Sequence, residues 1–114
     1  LALHAALRTR LDQTIEVWPY AGTNLAGGKL FSSSAAVMYM AREEAKQHEV
    51  VDPQGKRVLA RGRIFVGPTS TGGAPSVSVT DRLFPPGSTT PLPLLAVETL
   101  RDRVGVHHQV VSHG

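Results

Sequence analysis

The tetrapeptide Asp52-Pro53-Gln54-Gly55 stands between two alternating apolar runs and commits the chain around it to a β-hairpin. Proline in second place presets φ for a type I turn, and glycine in fourth place takes a positive φ with no Cβ to clash. The run that follows, residues 56–66, alternates strictly. Val58, Ala60, Gly62, Ile64 and Val66 share one face, while Arg57, Leu59, Arg61, Arg63 and Phe65 share the other, the most cationic stretch of the chain. The same punctuation recurs elsewhere. Residues 67–75 (GPTSTGGAP) and Pro85-Pro86-Gly87 separate further short runs, and most of the 11 glycines and 8 prolines fall in such clusters. That spacing is the signature of a turn-rich β protein.

Along the chain, residues 13–18 alternate as a strand, with Ile15 and Val17 opposite Thr14, Glu16 and Trp18, and Pro19 closes it. Residues 35–44 (AAVMYMAREE) balance helix-forming Ala, Met and Glu against strand-forming Val37 and Tyr39. The hairpin after them favours a strand running towards Glu49-Val50-Val51. Residues 76–80 read as a short strand with Val77 and Val79 inward, and Asp81-Arg82-Leu83 leads into the next turn. An apolar strand over 92–100, a turn over 102–105 and a return strand over 106–111 complete the count. Six to seven short strands predict an all-β fold, a small β-barrel or a sandwich, and closure into a barrel removes exposed edges.

Two stretches read as long loops: 20–34, with Gly22, Gly27 and Gly28 and a Ser32-Ser33-Ser34 end, and 67–76. Loops beyond about 12–15 residues are uncommon and are functional or disordered, so the first is expected to be mobile and to meet a neighbour or line a channel, while the second reads as flexible from its Gly, Pro and Thr content. Residues 1–12 carry Leu1, Leu3, Ala5, Leu7 and Leu11 with Arg8 and Arg10 and form a short N-terminal arm, helical or extended. The expected organisation is this arm followed by one barrel domain over 13–114.

Composition narrows the chemistry. A hydrophobic share of 41% with 18% charged residues is that of a folded domain. With no cysteine, neither disulfides nor thiolate metal sites are available, which fits assembly in a reducing cytosol. No run approaches the ~18 apolar residues that cross a bilayer, and no leader peptide opens the chain, so no membrane partner is expected. The net charge of +3 tolerates nearby nucleic acid but is short of a dedicated DNA-reading stripe.

No catalytic, cofactor-binding or metal-binding residue is expected. His107 and His108, neighbours on a strand, point to opposite faces and cannot share one ion, and His113 adds no third ligand. Gly27-Gly28-Lys29 is followed by Leu30, without the hydroxyl of a phosphate-binding loop. The serines at 32–34 have no nucleophile elbow, and Glu43-Glu44 reads as a solvated face. The chain is therefore not expected to be an enzyme. A single-strand nucleic-acid barrel needs stacking aromatics along its basic groove. Of Trp18, Tyr20, Phe31, Tyr39, Phe65 and Phe84, only Phe65 falls in the arginine strand. Those arginines are expected to make inter-subunit ion pairs or to face a channel.

The order DPQGKRVLARGRIFVGP, VTDRLFPPG, PLLAVETLRDRVGVHHQVV, covering about residues 49–112, resembles the head-to-tail stopper, or head-completion, proteins of long-tailed bacteriophages. The shared features are a D-x-x-G hairpin, an Arg-bearing strand, a flexible Gly/Pro/Thr loop, an Asp-Arg-Leu turn element and a closing hairpin with a His-His pair. The resemblance implies a β-barrel subunit of a homo-oligomeric ring, hexameric or dodecameric, at the virion neck. Such a ring is assembled in the host cytoplasm, meets portal and adaptor proteins on the head side and the tail terminator on the tail side, and seals packaged genomic DNA that later passes through its channel. On that reading Arg57, Arg61 and Arg63 are DNA-facing or inter-subunit charges. Gly22, Asn24, Gly27, Gly28 and Lys29, with Thr69, Thr71, Gly72 and Gly73, belong to assembly or gating loops. Alternatives are a tail terminator, a mostly helical adaptor, or a free-standing single-strand nucleic-acid-binding barrel.

Overall fold

In the computed structural model, which describes residues 11–69, 71–101 and 105–114, the alternating runs become strands. They are β1 (Gln13–Trp18), β2 (Tyr20–Thr23), β3 (Lys29–Phe31), β4 (Val37–Glu44), β5 (His48–Val51), β6 (Arg57–Ala60), β7 (Gly62–Thr69), β8 (Arg82–Phe84), β9 (Leu94–Arg101) and β10 (Val106–His113). No helix occurs among the described residues. The fold is all-β, as expected. Six strands in the order β8-β1-β4-β7-β10-β9 form one antiparallel sheet curled into a half-barrel, and β2–β3 and β5–β6 are separate two-stranded ribbons. The sheet's two edges meet at one point. Leu92, just ahead of β9, bridges Leu83 of edge strand β8, its N–H donating to the Leu83 carbonyl at 3.0 Å.

The period of two explains the core. Cross-strand register aligns Ile15 with Tyr39, Val17 with Leu83, Ala41 with Val66 and Ile64 with Val111, and all of these side chains are buried on the concave face. Each fully buried aliphatic side chain contributes about 1.5–3 kcal/mol, so this one face accounts for most of the hydrophobic stabilisation. Val37, Leu92, Leu94 and Val97 pack against its margin.

Four expectations need correcting. The run 56–66 is not one strand. It breaks at Arg61, whose N–H donates to the His113 carbonyl at 2.9 Å, so β6 stays with β5 while β7 enters the main sheet. Its alternation survives the break: Ala60, Gly62, Ile64 and Val66 are buried, and Arg57, Leu59 and Arg61 are exposed. The ambiguous segment over 35–44 is a strand, β4, but it ends before β5 rather than running into it. Residues 20–34 fold as the β2–β3 hairpin rather than a loop, and β7 extends to Thr69, which shortens the second loop and buries Gly67 and Pro68. The expected arm lies mostly in residues 1–10, and the turn over 102–105 mostly in 102–104, both outside the described residues.

The fourth correction concerns residues 76–80, which form no strand. Val77 is nevertheless buried, and its backbone is paired by a side chain instead of a ladder. Gln109 Oε1 accepts from the Val77 N–H at 2.7 Å, and Nε2 donates to the Val77 carbonyl at 3.1 Å and to Thr99 Oγ1 at 3.0 Å. One amide thus satisfies both polar groups that a neighbouring strand would have satisfied.

The neighbouring Ser76 backbone hydrogen-bonds the Tyr39 phenol. Burial raises this phenol above its ordinary value of 10.0, the Ser76 bond works in the opposite direction, and the Asp81 carboxylate raises it further. A folded-state value above the unfolded one stabilises the protein below the unfolded value and is lost as pH rises through the folded one. As pH rises above 10.0, the unfolding free energy from urea titration should therefore fall more steeply for the wild type than for Tyr39→Phe, by up to about 1.4 kcal/mol per pH unit. Parallel slopes in the two proteins would show that another group carries the alkaline limb.

Candidate functional site

Three turns project from the sheet and its ribbons, and all follow one plan. In the first, Asn24 N–H donates to the Gly28 carbonyl at 2.8 Å, Gly27 N–H donates to the Asn24 carbonyl at 3.0 Å, and Asn24 Oδ1 accepts from the N–H groups of Ala26 and Gly28 at 3.0 and 2.8 Å. Asp52 repeats this with Lys56 and Gly55, its Oδ1 accepting from Gln54 and Lys56 at 3.0 and 2.8 Å. Thr69 repeats it with Gly73 and Gly72, its Oγ1 accepting from Gly73 N–H at 2.8 Å and lying 3.1 Å from Thr71 Oγ1. The fourth residue is glycine each time, at φ of 84°, 82° and 92°, a conformation that carries little penalty only for that residue. The sites expected to be mobile loops are therefore built turns, because a short polar side chain caps its own turn in each. The signal was present as N-x-x-G-G and T-x-x-G-G, the same spacing as D-P-Q-G-K.

The β2–β3 hairpin is fixed to the sheet by a cluster that sequence reasoning missed. The Arg82 guanidinium carbon lies 4.2 Å from the Phe31 ring centroid and 5.9 Å from that of Trp18. Trp18 packs on Phe84 at 4.9 Å, Tyr20 meets Phe31 edge-on at 6.2 Å, and Trp18 Nε1 donates to Glu16 Oε2 at 2.7 Å. Asp81 completes the anchor: Oδ1 accepts from Tyr20 N–H and Oδ2 from Ser78 N–H, both at 2.9 Å. Cation–π contacts of this kind contribute about 0.5–2 kcal/mol each, so the hairpin is held as one body with β1 and β8. No local pattern joins residues 18, 31 and 82; only tertiary folding does.

The three candidate arginines do not form one continuous patch. Arg57 sits on the β5–β6 ribbon and pairs with Glu49 at 3.6 Å across solvent, a contact of little energetic weight. Arg63 lies in the main sheet, half-buried, with Nη2 donating to Glu44 Oε1 at 3.0 Å and its guanidinium 5.0 Å from the Phe65 ring centroid. Arg61 is exposed and has no ion pair among the described residues. Of the three it is the one with neither an ion pair nor an aromatic contact among the described residues.

The histidines are also separated. His48 lies on β5, its Nε2 3.1 Å from Ser112 Oγ and its Nδ1 2.8 Å from the Lys46 carbonyl, which ties the ribbon to β10. His108 packs near Phe65 at 6.5 Å, and His113 Nδ1 lies 3.1 Å from the Gly114 carbonyl. The His107 side chain lies outside the described residues. Among the described residues no group of three or more His, Asp or Glu side chains comes together. Between the β5–β6 ribbon and β9–β10 lies an open cleft of about 300 Å³, lined by Val50, Val51, Ala96, Val97, Glu98, Val110 and Ser112.

Comparison of the chain with known protein families, curated proteins and solved structures finds no match.

Proposed function

We propose that this chain is a structural, non-enzymatic subunit of a ring at the head–tail junction of a tailed bacteriophage, where it retains packaged DNA and docks the tail. The observation that carries the reading is a β half-barrel filled by its own side chains, from which capped, ordered turns project. A ring subunit needs that combination, because each copy must present two different, stiff surfaces to its neighbours. The resemblance over residues 49–112 supplies the setting. An all-β chain also suits a barrel-type connector better than a helical adaptor.

Within this reading Arg61 is the charge to test. Arg63 is committed to Glu44, and its reversal would disturb the sheet. Arg61→Glu should leave the thermal unfolding curve within about 0.5 kcal/mol of wild type while virions carrying it lose DNA on storage. Immunogold labelling should place the wild-type chain at the neck of purified virions. Labelling confined to another part of the particle, or an absence of the chain from virions, would overturn the assignment.

A further inference from the structure

We infer that the β2–β3 hairpin is a knob that seats in the β5/β9/β10 cleft of a second copy of this chain, making the head-to-tail contact of an assembly. The inference rests on the reading of the chain as a self-associating subunit, and adds which surfaces meet.

Leu25, at the tip of the hairpin, is 110% exposed, and Leu30 and Tyr20 on its flanks are 44% and 38% exposed. The turn does not need a leucine. Asn24 and Gly27 supply its hydrogen bonds and its positive φ, and the equivalent position in the second turn is Pro53. An apolar side chain held fully in water by a rigid turn contributes nothing to the folding of its own chain. With Leu30 and Tyr20 it gives the hairpin several exposed apolar side chains, a surface that a partner can cover. The Arg82–Phe31–Trp18 anchor and the Asp81 bonds remove most of the hairpin's freedom beforehand, which lowers the entropic cost of docking.

The cleft is the complementary surface. Its lining combines apolar side chains (Val50, Val51, Ala96, Val110) with Glu98 and Ser112, and Val51 is 57% exposed. The charges also match. Lys29 is the single charged residue between positions 20 and 31, and Glu98 stands at the cleft; neither has an ion pair among the described residues. Knob and cleft are built from different elements, β2 and β3 for the one and β5, β9 and β10 for the other. A contact between two different surfaces is heterologous, so repeating it propagates into a ring or an open filament.

The chain has no cysteine, which makes cross-linking clean. Leu25→Cys protein mixed with Ala96→Cys protein should give an intermolecular disulfide dimer under mild oxidation, whereas Leu25→Cys mixed with Thr14→Cys, an exposed β1 position that does not line the cleft, should not. In sedimentation velocity the wild type should associate reversibly, and Leu25→Asp and Lys29→Glu should each weaken association by about tenfold or more. Glu98→Lys combined with Lys29→Glu should restore it, an outcome that misfolding cannot produce. A wild type that stays monomeric up to about 1 mM, association unaffected by Leu25→Asp, or equal cross-linking to Thr14→Cys would each overturn the contact. A ring seen at the neck without the Leu25–Ala96 cross-link overturns this contact and leaves the neck assignment intact. The cross-link without a neck ring does the reverse.

Discussion

Replacing Gln109 with leucine should destabilise the protein by about 3–4 kcal/mol and lower its Tm by roughly 15 °C. Gln109 is 4% exposed, and its amide is the partner of both backbone polar groups of Val77, itself 5% exposed. Leucine fills nearly the same space, so little of the loss would come from a cavity. It would come from leaving a buried N–H and a buried carbonyl without partners, each a penalty of about 1–3 kcal/mol. Thr99 offers a control. Its hydroxyl accepts from the same amide but is solvent-exposed, so Thr99→Ala should lose no more than about 1 kcal/mol. Urea titration measures both, and the Val77 amide should lose its protection in hydrogen exchange only in the Gln109 variant. A Gln109→Leu loss under about 1 kcal/mol would mean that water reaches the segment and replaces the side chain.

Residue 77 also marks where sequence reading reached its limit. Ser76-Val77-Ser78-Val79 alternates as a strand does, and Val77 is inward as the alternation predicts. Alternation reports which face is buried, not what satisfies the backbone, and here the partner is an amide 32 residues away in sequence. The same limit accounts for the break at Arg61. The run 56–66 keeps one period throughout, and only the competing His113 carbonyl, from another strand, diverts its backbone. Strand β1, the Asp52 turn and the inward face of β7 were legible because each depends on neighbours within a few residues. The 20–34 stretch was equally local, yet its glycines and serines masked the Asn24–Gly27 spacing that makes it a hairpin. The Arg82 anchor was illegible for a different reason: Trp18, Phe31 and Phe84 meet the guanidinium only after β1, β3 and β8 have assembled.

Adding one methyl group at Gly62 should remove about 2–3 kcal/mol of stability, as overpacking of a tight site does. Gly62 on β7 is paired with His113 on β10, and the imidazole folds over the bare Cα. A Cβ there would lie 2.8 Å from His113 Nε2, 2.9 Å from Cε1 and 3.1 Å from the Glu44 carbonyl of the strand on the other side. The ring can yield; the β4 backbone cannot without disturbing the register on which the core depends. His113 Nε2 is buried with no hydrogen-bond partner, so removing the ring deletes an unsatisfied polar atom along with its packing, and His113→Ala alone should lose only about 1–2 kcal/mol. Without the ring, most of the space for a methyl group opens. Gly62→Ala and His113→Ala together should then be less destabilising than the sum of the two by about 1–2 kcal/mol, a coupling readable in a double-mutant cycle of urea unfolding. Strictly additive losses would place the strain on the Glu44 carbonyl instead, and the glycine would be required by β4 rather than by β10. The distinction matters beyond stability. His113 also accepts the Arg61 N–H that turns β6 away from the sheet, so relief through the ring should leave the β5–β6 ribbon, and with it the wall of the cleft, in place.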